Sequence, residues 1–103
     1  MKPAFTCDVV SNRTCLRISL FSDAKPGARA ERLMAAQVYC VAARLEQMAA
    51  AEDLDFAVSP NPRGGSVTVE LVCNADGHSA ISEDVIVEIG IEACSDLGIL
   101  PRE

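Results

Sequence analysis

Several residue types that often carry catalysis or recognition are scarce in this chain of 103 residues. It has no tryptophan, one histidine and four aromatic residues. Ligand pockets are usually lined by aromatic and large apolar side chains, so this shortage argues against a small-molecule site. Basic residues are also few, since nine Lys and Arg stand against 15 Asp and Glu, for a net charge of -6. Such a charge repels phosphate groups and argues against direct binding to nucleic acid.

Long hydrophobic runs and paired cysteine motifs are missing too. No uncharged apolar run approaches the roughly 20 residues that cross a bilayer, and the N-terminus lacks the apolar core of a secretory signal. The five cysteines are odd in number, form no Cys-x-x-Cys pair and lie within apolar runs. We therefore expect a cytoplasmic protein without a membrane contact, with reduced, mostly buried cysteines and with neither a metal nor a cofactor.

Motifs for catalysis are equally sparse. The chain has neither a GxxxxGK[ST] loop nor a GxGxxG loop for phosphate groups. His78 lies beside Asp76 and Ser79 on a predicted turn, whereas the members of a catalytic triad normally come from separate loops. We predict no catalytic residues, although the sequence leaves open whether the protein is an enzyme.

The N-terminal segment predicts a β-hairpin. With the turn at Asn12-Arg13, Phe5, Cys7 and Val9 face apolar residues of the second strand, and Asp8 faces Arg17. This register gives one apolar face and one polar face, as cross-strand pairing favours.

A long helix follows the hairpin. Strong helix formers continue from about Ala28 to Glu52, and Ser22 or Asp23 is a candidate N-cap with Lys25-Pro26 in the first turn. One face carries an apolar stripe at a 4-3-4-3 spacing, made of Met34, Val38, Val41, Leu45 and Met48. A second stripe of small residues, Ala28, Ala35, Ala42 and Ala49, indicates either helix propensity alone or a close contact with a second helix.

The second half predicts strands at 55–59 and 66–73, a short edge strand at 78–81, and a final helix from Ser82 to Leu97. The final element also alternates like a strand, but its length and its Gly98-Pro101 ending favour a helix. Val87 and Ile91 lie behind the predicted core face of that helix, which consists of Val85, Ile86, Ile89, Ala93, Leu97 and Leu100. A second subunit is the simplest neighbour for them, so Ala35, Ala42, Ala49, Val87 and Ile91 are predicted to form a homodimer interface.

These elements predict one α+β domain over residues 1–103. We expect a single-layer antiparallel sheet of four or five strands with two helices on one face, in the order ββαββ(β)α.

Two sets of charged residues are candidate sites. Asp84, Glu88 and Glu92 repeat every four residues along the final helix, and Arg63 lies in a Pro-rich and Gly-rich loop. These four residues are predicted to bind a protein partner that is itself basic, or else to be ordinary solvated charges. Lys25, Arg29 and Arg32 surround the start of the long helix, where they are predicted to bind an anion or to be solvated bases.

The sequence is compatible with two functions. The first is a small acidic regulatory protein that acts as a homodimer and binds another protein, with an inhibitor of phage or mobile-element type that fills a basic groove as a special case. The second is a small-molecule anion-binding protein, or a small enzyme, with its site at a dimer interface.

Overall fold

The structure, a computed structural model, describes residues 5–12, 14–72 and 81–102. These residues form two helices and five strands: β1 (Phe5–Ser11), β2 (Cys15–Ser22), α1 (Ala28–Glu52), β3 (Phe56–Asn61), β4 (Ser66–Leu71), α2 (Glu83–Asp96) and β5 (Leu100–Pro101). Neither helix is apolar over enough of its length to cross a membrane.

The five strands form one sheet in the order β3-β4-β2-β1-β5. All neighbouring strands are antiparallel except β1 and β5, which are parallel. The predicted α+β fold, with one sheet and two helices on one of its faces, is confirmed. The fifth strand is a correction to the predicted order, because β5 follows α2. Most of the predicted strand at 78–81 lies outside the described residues, and Ile81 is a core residue that belongs to no strand.

The core lies between the sheet and the two helices. Alternate residues of the central strands, such as Cys7, Ile18 and Val69, point to this side and are fully buried. The apolar stripe of α1 meets them as predicted, with Met34 half-buried at its end and the other four members buried. Regular alternation in the strands and the helical spacing in α1 therefore build one core.

The predicted register of the first hairpin is wrong by two residues. Cys7 faces Leu20 and Asp8 faces Ser19, so Asp8 does not face Arg17. The turn explains the difference: the Asn12 N–H donates to the Cys15 carbonyl at 2.9 Å, which moves the centre of the turn one residue further along the chain. Because side chains alternate with a period of two, the shift preserves the buried and exposed faces that the pattern predicted.

The start of α1 also differs from the prediction. Its N-cap is Gly27, which offers no capping side chain, and Lys25-Pro26 precede the helix. The predicted cap Ser22 ends β2, and its hydroxyl accepts a hydrogen bond from the Ala24 N–H at 3.1 Å. The predicted end near Glu52 is confirmed, since Asp53 takes a left-handed conformation and its N–H bonds to the Ala49 carbonyl.

The final element is a helix, as its length and ends predicted. The Ser82 hydroxyl accepts a hydrogen bond from the Val85 N–H, and Gly98 adopts a φ of 77° just beyond the last turn. Its buried face differs in part from the prediction. Ile86, Ile89 and Ala93 are buried as expected, whereas the structure exposes Val85, Leu97 and Leu100.

Pro60 and Asn61, which the sequence predicted to lie in a connection, belong to β3. Because β3 is an edge strand of the sheet, a proline that lacks an N–H is tolerated there. The turn that follows spans residues 62–65, and the Asn61 side chain accepts the Gly64 N–H at 3.1 Å.

Candidate functional site

The outer side of α2 carries the acidic row that the sequence singled out. The helix buries Ile86, Ile89, Gly90, Ala93 and Cys94 on its other side. A spacing of four residues keeps Asp84, Glu88 and Glu92 on one side of a helix, and all three are exposed. We call these three residues the α2 acidic row.

Acidic residues dominate this helix as a whole. It contains five of them and no Lys or Arg. The first, Glu83, accepts a hydrogen bond from the Ser11 hydroxyl at 3.0 Å. The last, Asp96, binds the Arg44 guanidinium of α1 through two bonds of 2.8 and 3.0 Å. These two acids hold α2 against β1 and α1.

The carboxylates of the α2 acidic row differ from these two, because no described residue forms a hydrogen bond or ion pair with any of them. Asp84 is in the first turn, where a negative charge favours the helix, whereas Glu92 lies near the last turn, where the helix dipole opposes it. Stability of the isolated helix therefore does not account for the whole row. Val85, 43% exposed, adds an apolar side chain one turn before Glu88.

Arg63 lies away from this row. It is exposed in the turn between β3 and β4, at one edge of the sheet. Helix α2 packs on β1, β2 and β5, towards the opposite edge. The four residues predicted to bind one partner are therefore divided between two places.

Arg63 instead borders a cavity of about 780 Å³ at the start of α1. The cavity lies between the end of β2, the first turns of α1 and the β3–β4 turn, and Phe21, Pro26, Met34 and Pro62 supply apolar walls. Its charged lining residues are Arg63 and Glu31. One cation and one anion give its lining no net charge, so the lining itself does not select an anion.

The three bases predicted to hold an anion are exposed, and none of them lines this cavity. Lys25 precedes the N-cap of α1, while Arg29 and Arg32 lie on exposed positions of its first turns. The structure therefore gathers no enclosed anion site from these three residues.

The residues predicted for a dimer interface are only partly available to a second chain. Ala42 is 5% exposed and belongs to the core of the single chain. Ala35, Ala49 and Ile91 are half-buried, and Val87 is half-buried against the core. The homodimer interface stays a prediction, and only part of each half-buried side chain is exposed to form it.

The cysteines show a feature that the sequence did not reveal. Cys40 is exposed on α1, whereas Cys7 of β1 and Cys94 of α2 are fully buried free thiols joined by a hydrogen bond. The spacing of cysteines along the chain gives no sign of this pair, because β1 and the end of α2 meet only in the folded structure. His78 lies outside the described residues.

A hydrogen bond between the two thiols affects their acidities in opposite directions. It lowers the pKa of Cys7, against the effects of burial and of the Asp8 charge. The same bond, together with burial, raises the pKa of Cys94. Cys94 is therefore the donor and Cys7 the acceptor, so Cys7 loses its proton more readily.

Among the described residues, no group of three or more His, Cys, Asp or Glu side chains is placed to share a metal ion. Comparison of the chain with protein-family models, curated proteins and solved structures finds no match.

Proposed function

We propose that this chain is a small regulatory protein that acts in the cytoplasm by binding another protein, and that the α2 acidic row docks on a basic surface of that partner. One observation carries the proposal: three exposed carboxylates line one side of a helix, and no described residue neutralises them. Charge complementarity of this kind raises association rates and selects the partner more than it raises affinity.

A basic groove is the partner surface that fits best. The row extends over two turns of helix, about 12 Å, so it matches several Lys or Arg side chains spaced along one groove. Proteins that process nucleic acids carry such grooves. An acidic helix that fills one would act as an inhibitor by competing with the nucleic acid.

The alternative function, binding of a small anion at Lys25, Arg29 and Arg32, has less support. The cavity at this end of the molecule carries no net charge, and the three bases are not in its walls. Thermal stabilisation by phosphate that disappears in Arg29→Ala would favour this alternative over the proposal.

The experiment uses two variants with the same net charge. One, D84N/E88Q/E92Q, neutralises the row, and the other, E46Q/E52Q/E70Q, neutralises three exposed acids on α1 and β4. Both change the formal net charge from -6 to -3, so they differ only in where the charge is removed. Thermal unfolding first establishes that both variants fold.

Binding to a labelled lysine-rich peptide is then measured by fluorescence anisotropy at low and physiological salt. We expect the row variant to lose about tenfold in affinity, while the control loses about twofold or less. Equal losses would show that the peptide responds to net charge alone, and the proposed surface would then be wrong.

The homodimer forms a separate part of the proposal. Native mass spectrometry of the purified chain reports its subunit number directly, and we expect a dimer. In Ile91→Lys, a charge replaces a half-buried apolar side chain, and the dimer is expected to dissociate. A monomer in the unmodified protein would remove the dimer from the proposal without affecting the acidic row.

A further inference from the structure

The buried thiol pair lies where the C-terminal segment closes on the sheet. Cys94 is in the last turn of α2, and Cys7 is in β1. Both side chains have no exposed surface and belong to the same core cluster, where each thiol affects the acidity of the other.

Backbone bonds on both sides hold this arrangement. After α2 the chain reverses at Gly98, and the Ile99 N–H donates to the Cys94 carbonyl at 2.9 Å. The chain then pairs with β1, with Pro101 opposite Cys7, and the Arg102 N–H donates to the Cys7 carbonyl at 2.8 Å. These backbone hydrogen bonds therefore link the segment 94–102 to β1 at Cys7.

We propose that Cys7 and Cys94 are an oxidative modification site, which a peroxide converts into a reversible disulfide between β1 and the last turn of α2. The Cys7 thiolate attacks one oxygen of the peroxide and breaks the O–O bond, which gives Cys7 sulfenic acid and, for hydrogen peroxide, a hydroxide ion that takes up the proton released by Cys7 and becomes water. The Cys94 sulfur then attacks the Cys7 sulfur, and the hydroxyl leaves with the Cys94 proton as a second water. Two thiols lose two electrons in total, and one peroxide gains them.

The acidities of the two thiols agree with these roles. A thiolate is the attacking species in such reactions, and the hydrogen bond from Cys94 favours the thiolate of Cys7. Cys94 keeps its proton until the sulfenic acid has formed, which suits the resolving cysteine.

Access to the buried pair requires a local opening, and β5 is the short edge strand that pairs with β1 at Cys7. This strand has two residues, both exposed, and pairs with β1 over two positions. Its outer end is held by the Arg102 guanidinium, which lies 4.2 Å from the centre of the Phe21 ring. A short edge strand that pairs over only two positions opens more readily than the core, so we expect the peroxide to enter when β5 detaches.

The test uses the full chain with the other cysteines replaced, C15S/C40S/C73S. After exposure to hydrogen peroxide, we expect the intact mass to fall by two hydrogen atoms and peptide mapping to find the Cys7–Cys94 bond. The bond should raise the melting temperature by several degrees, because it closes a long loop, and dithiothreitol should reverse both changes. A folded protein that does not react, that gains oxygen at Cys7 without a crosslink, or that forms only bonds between chains would overturn the proposal.

Two further variants test the roles and the route. With Cys94→Ala added, Cys7 has no resolving partner, and dimedone should trap its sulfenic acid. With Arg102→Ala added instead, the contact with Phe21 is lost, and disulfide formation should be several times faster at the same peroxide concentration. An unchanged rate in the second variant would show that β5 does not control access.

Discussion

Gly90 gives the sharpest test of how α2 packs on the sheet. It lies in the middle of the helix and is buried against β1 and β2. A Cβ atom at this position would lie 3.0 Å from Leu16 Cδ2, 3.3 Å from Ile18 Cδ1 and 3.7 Å from Val9 Cγ1. The first two distances are shorter than ordinary van der Waals contacts, so Gly90→Ala must displace either the helix or the two side chains.

Two effects of opposite sign decide the result. Alanine in a helix interior is more favourable than glycine by about 1 kcal/mol. Overpacking a filled core costs about 1–3 kcal/mol, and Leu16 and Ile18 are fully buried, so they have little room to move. We expect the cost to exceed the gain and the free energy of unfolding to fall by about 1 kcal/mol.

Urea denaturation measures this change, and the melting temperature should fall by about 4–8 °C for each kcal/mol. Ser95→Ala, at an exposed position of the same helix, is the control. It adds helix propensity without a clash and should be stabilising by a few tenths of a kcal/mol. A Gly90→Ala protein more stable than the parent would refute the close packing of α2 on β2.

A double-mutant cycle identifies the responsible neighbour. Leu16→Ala alone should cost about 2.7–5 kcal/mol through the cavity that it leaves. In the Gly90→Ala background its cost should be smaller by about 1 kcal/mol, because the clash disappears and the new methyl group occupies part of that cavity. If the two changes in free energy of unfolding simply add, the Leu16 side chain and the methyl group at position 90 do not contact each other.

Four smaller predictions concern the helix ends and the buried thiol of Cys94. Asp96→Asn removes the ion pair with Arg44, and since these side chains are 41% and 37% exposed, urea denaturation should show a loss below about 1 kcal/mol that disappears in about 1 M salt. Gly98→Ala forces a side chain into a φ of 77°, and thermal unfolding should show a free energy of unfolding lower by about 1 kcal/mol. Gly27→Ser supplies the missing cap of α1, and the same measurement should show a free energy of unfolding higher by a few tenths of a kcal/mol. The hydrogen bond to Cys7 and burial raise the pKa of Cys94, so the folded chain keeps a proton that the unfolded chain loses near pH 9. The free energy of unfolding should therefore fall by about 1.4 kcal/mol per pH unit above that pH, and an equally steep fall in Cys94→Ala would contradict this origin.

The fold was largely predictable because it follows from side-chain periodicity. The helical stripe of α1 and the alternation in β4 both identify the faces that are buried. The hairpin register was not predictable in this way, because registers that differ by two residues bury the same faces. The hydrogen bond from Asn12 to Cys15 decides between them, and it depends on the geometry of the turn rather than on hydrophobic pattern.

The candidate site was also predictable in part from side-chain periodicity. A spacing of four residues is sufficient to place Asp84, Glu88 and Glu92 on one side of a helix once the helix itself is predicted. The separation of Arg63 from that row, and the contact of Cys7 with Cys94, depend on the strand order β3-β4-β2-β1-β5. Strand order is a property of long-range pairing, which local sequence patterns do not encode.

The two proposals place different chemistry on the two sides of α2, and this separation makes them independently testable. Glu92 and Cys94 are two residues apart, which is about 200° around a helix, so one side chain faces outward and the other faces the core. Neutralising the acidic row removes no contact of the buried thiols, and we expect the rate of disulfide formation to change by less than about twofold, since surface charges act weakly through water. Oxidation, in turn, leaves the three carboxylates exposed, so peptide binding should persist in the crosslinked protein. A loss of binding on oxidation would instead mean that the row binds its partner only while the end of α2 is free to move away from β1. Oxidation of the buried thiols would then regulate binding by the row.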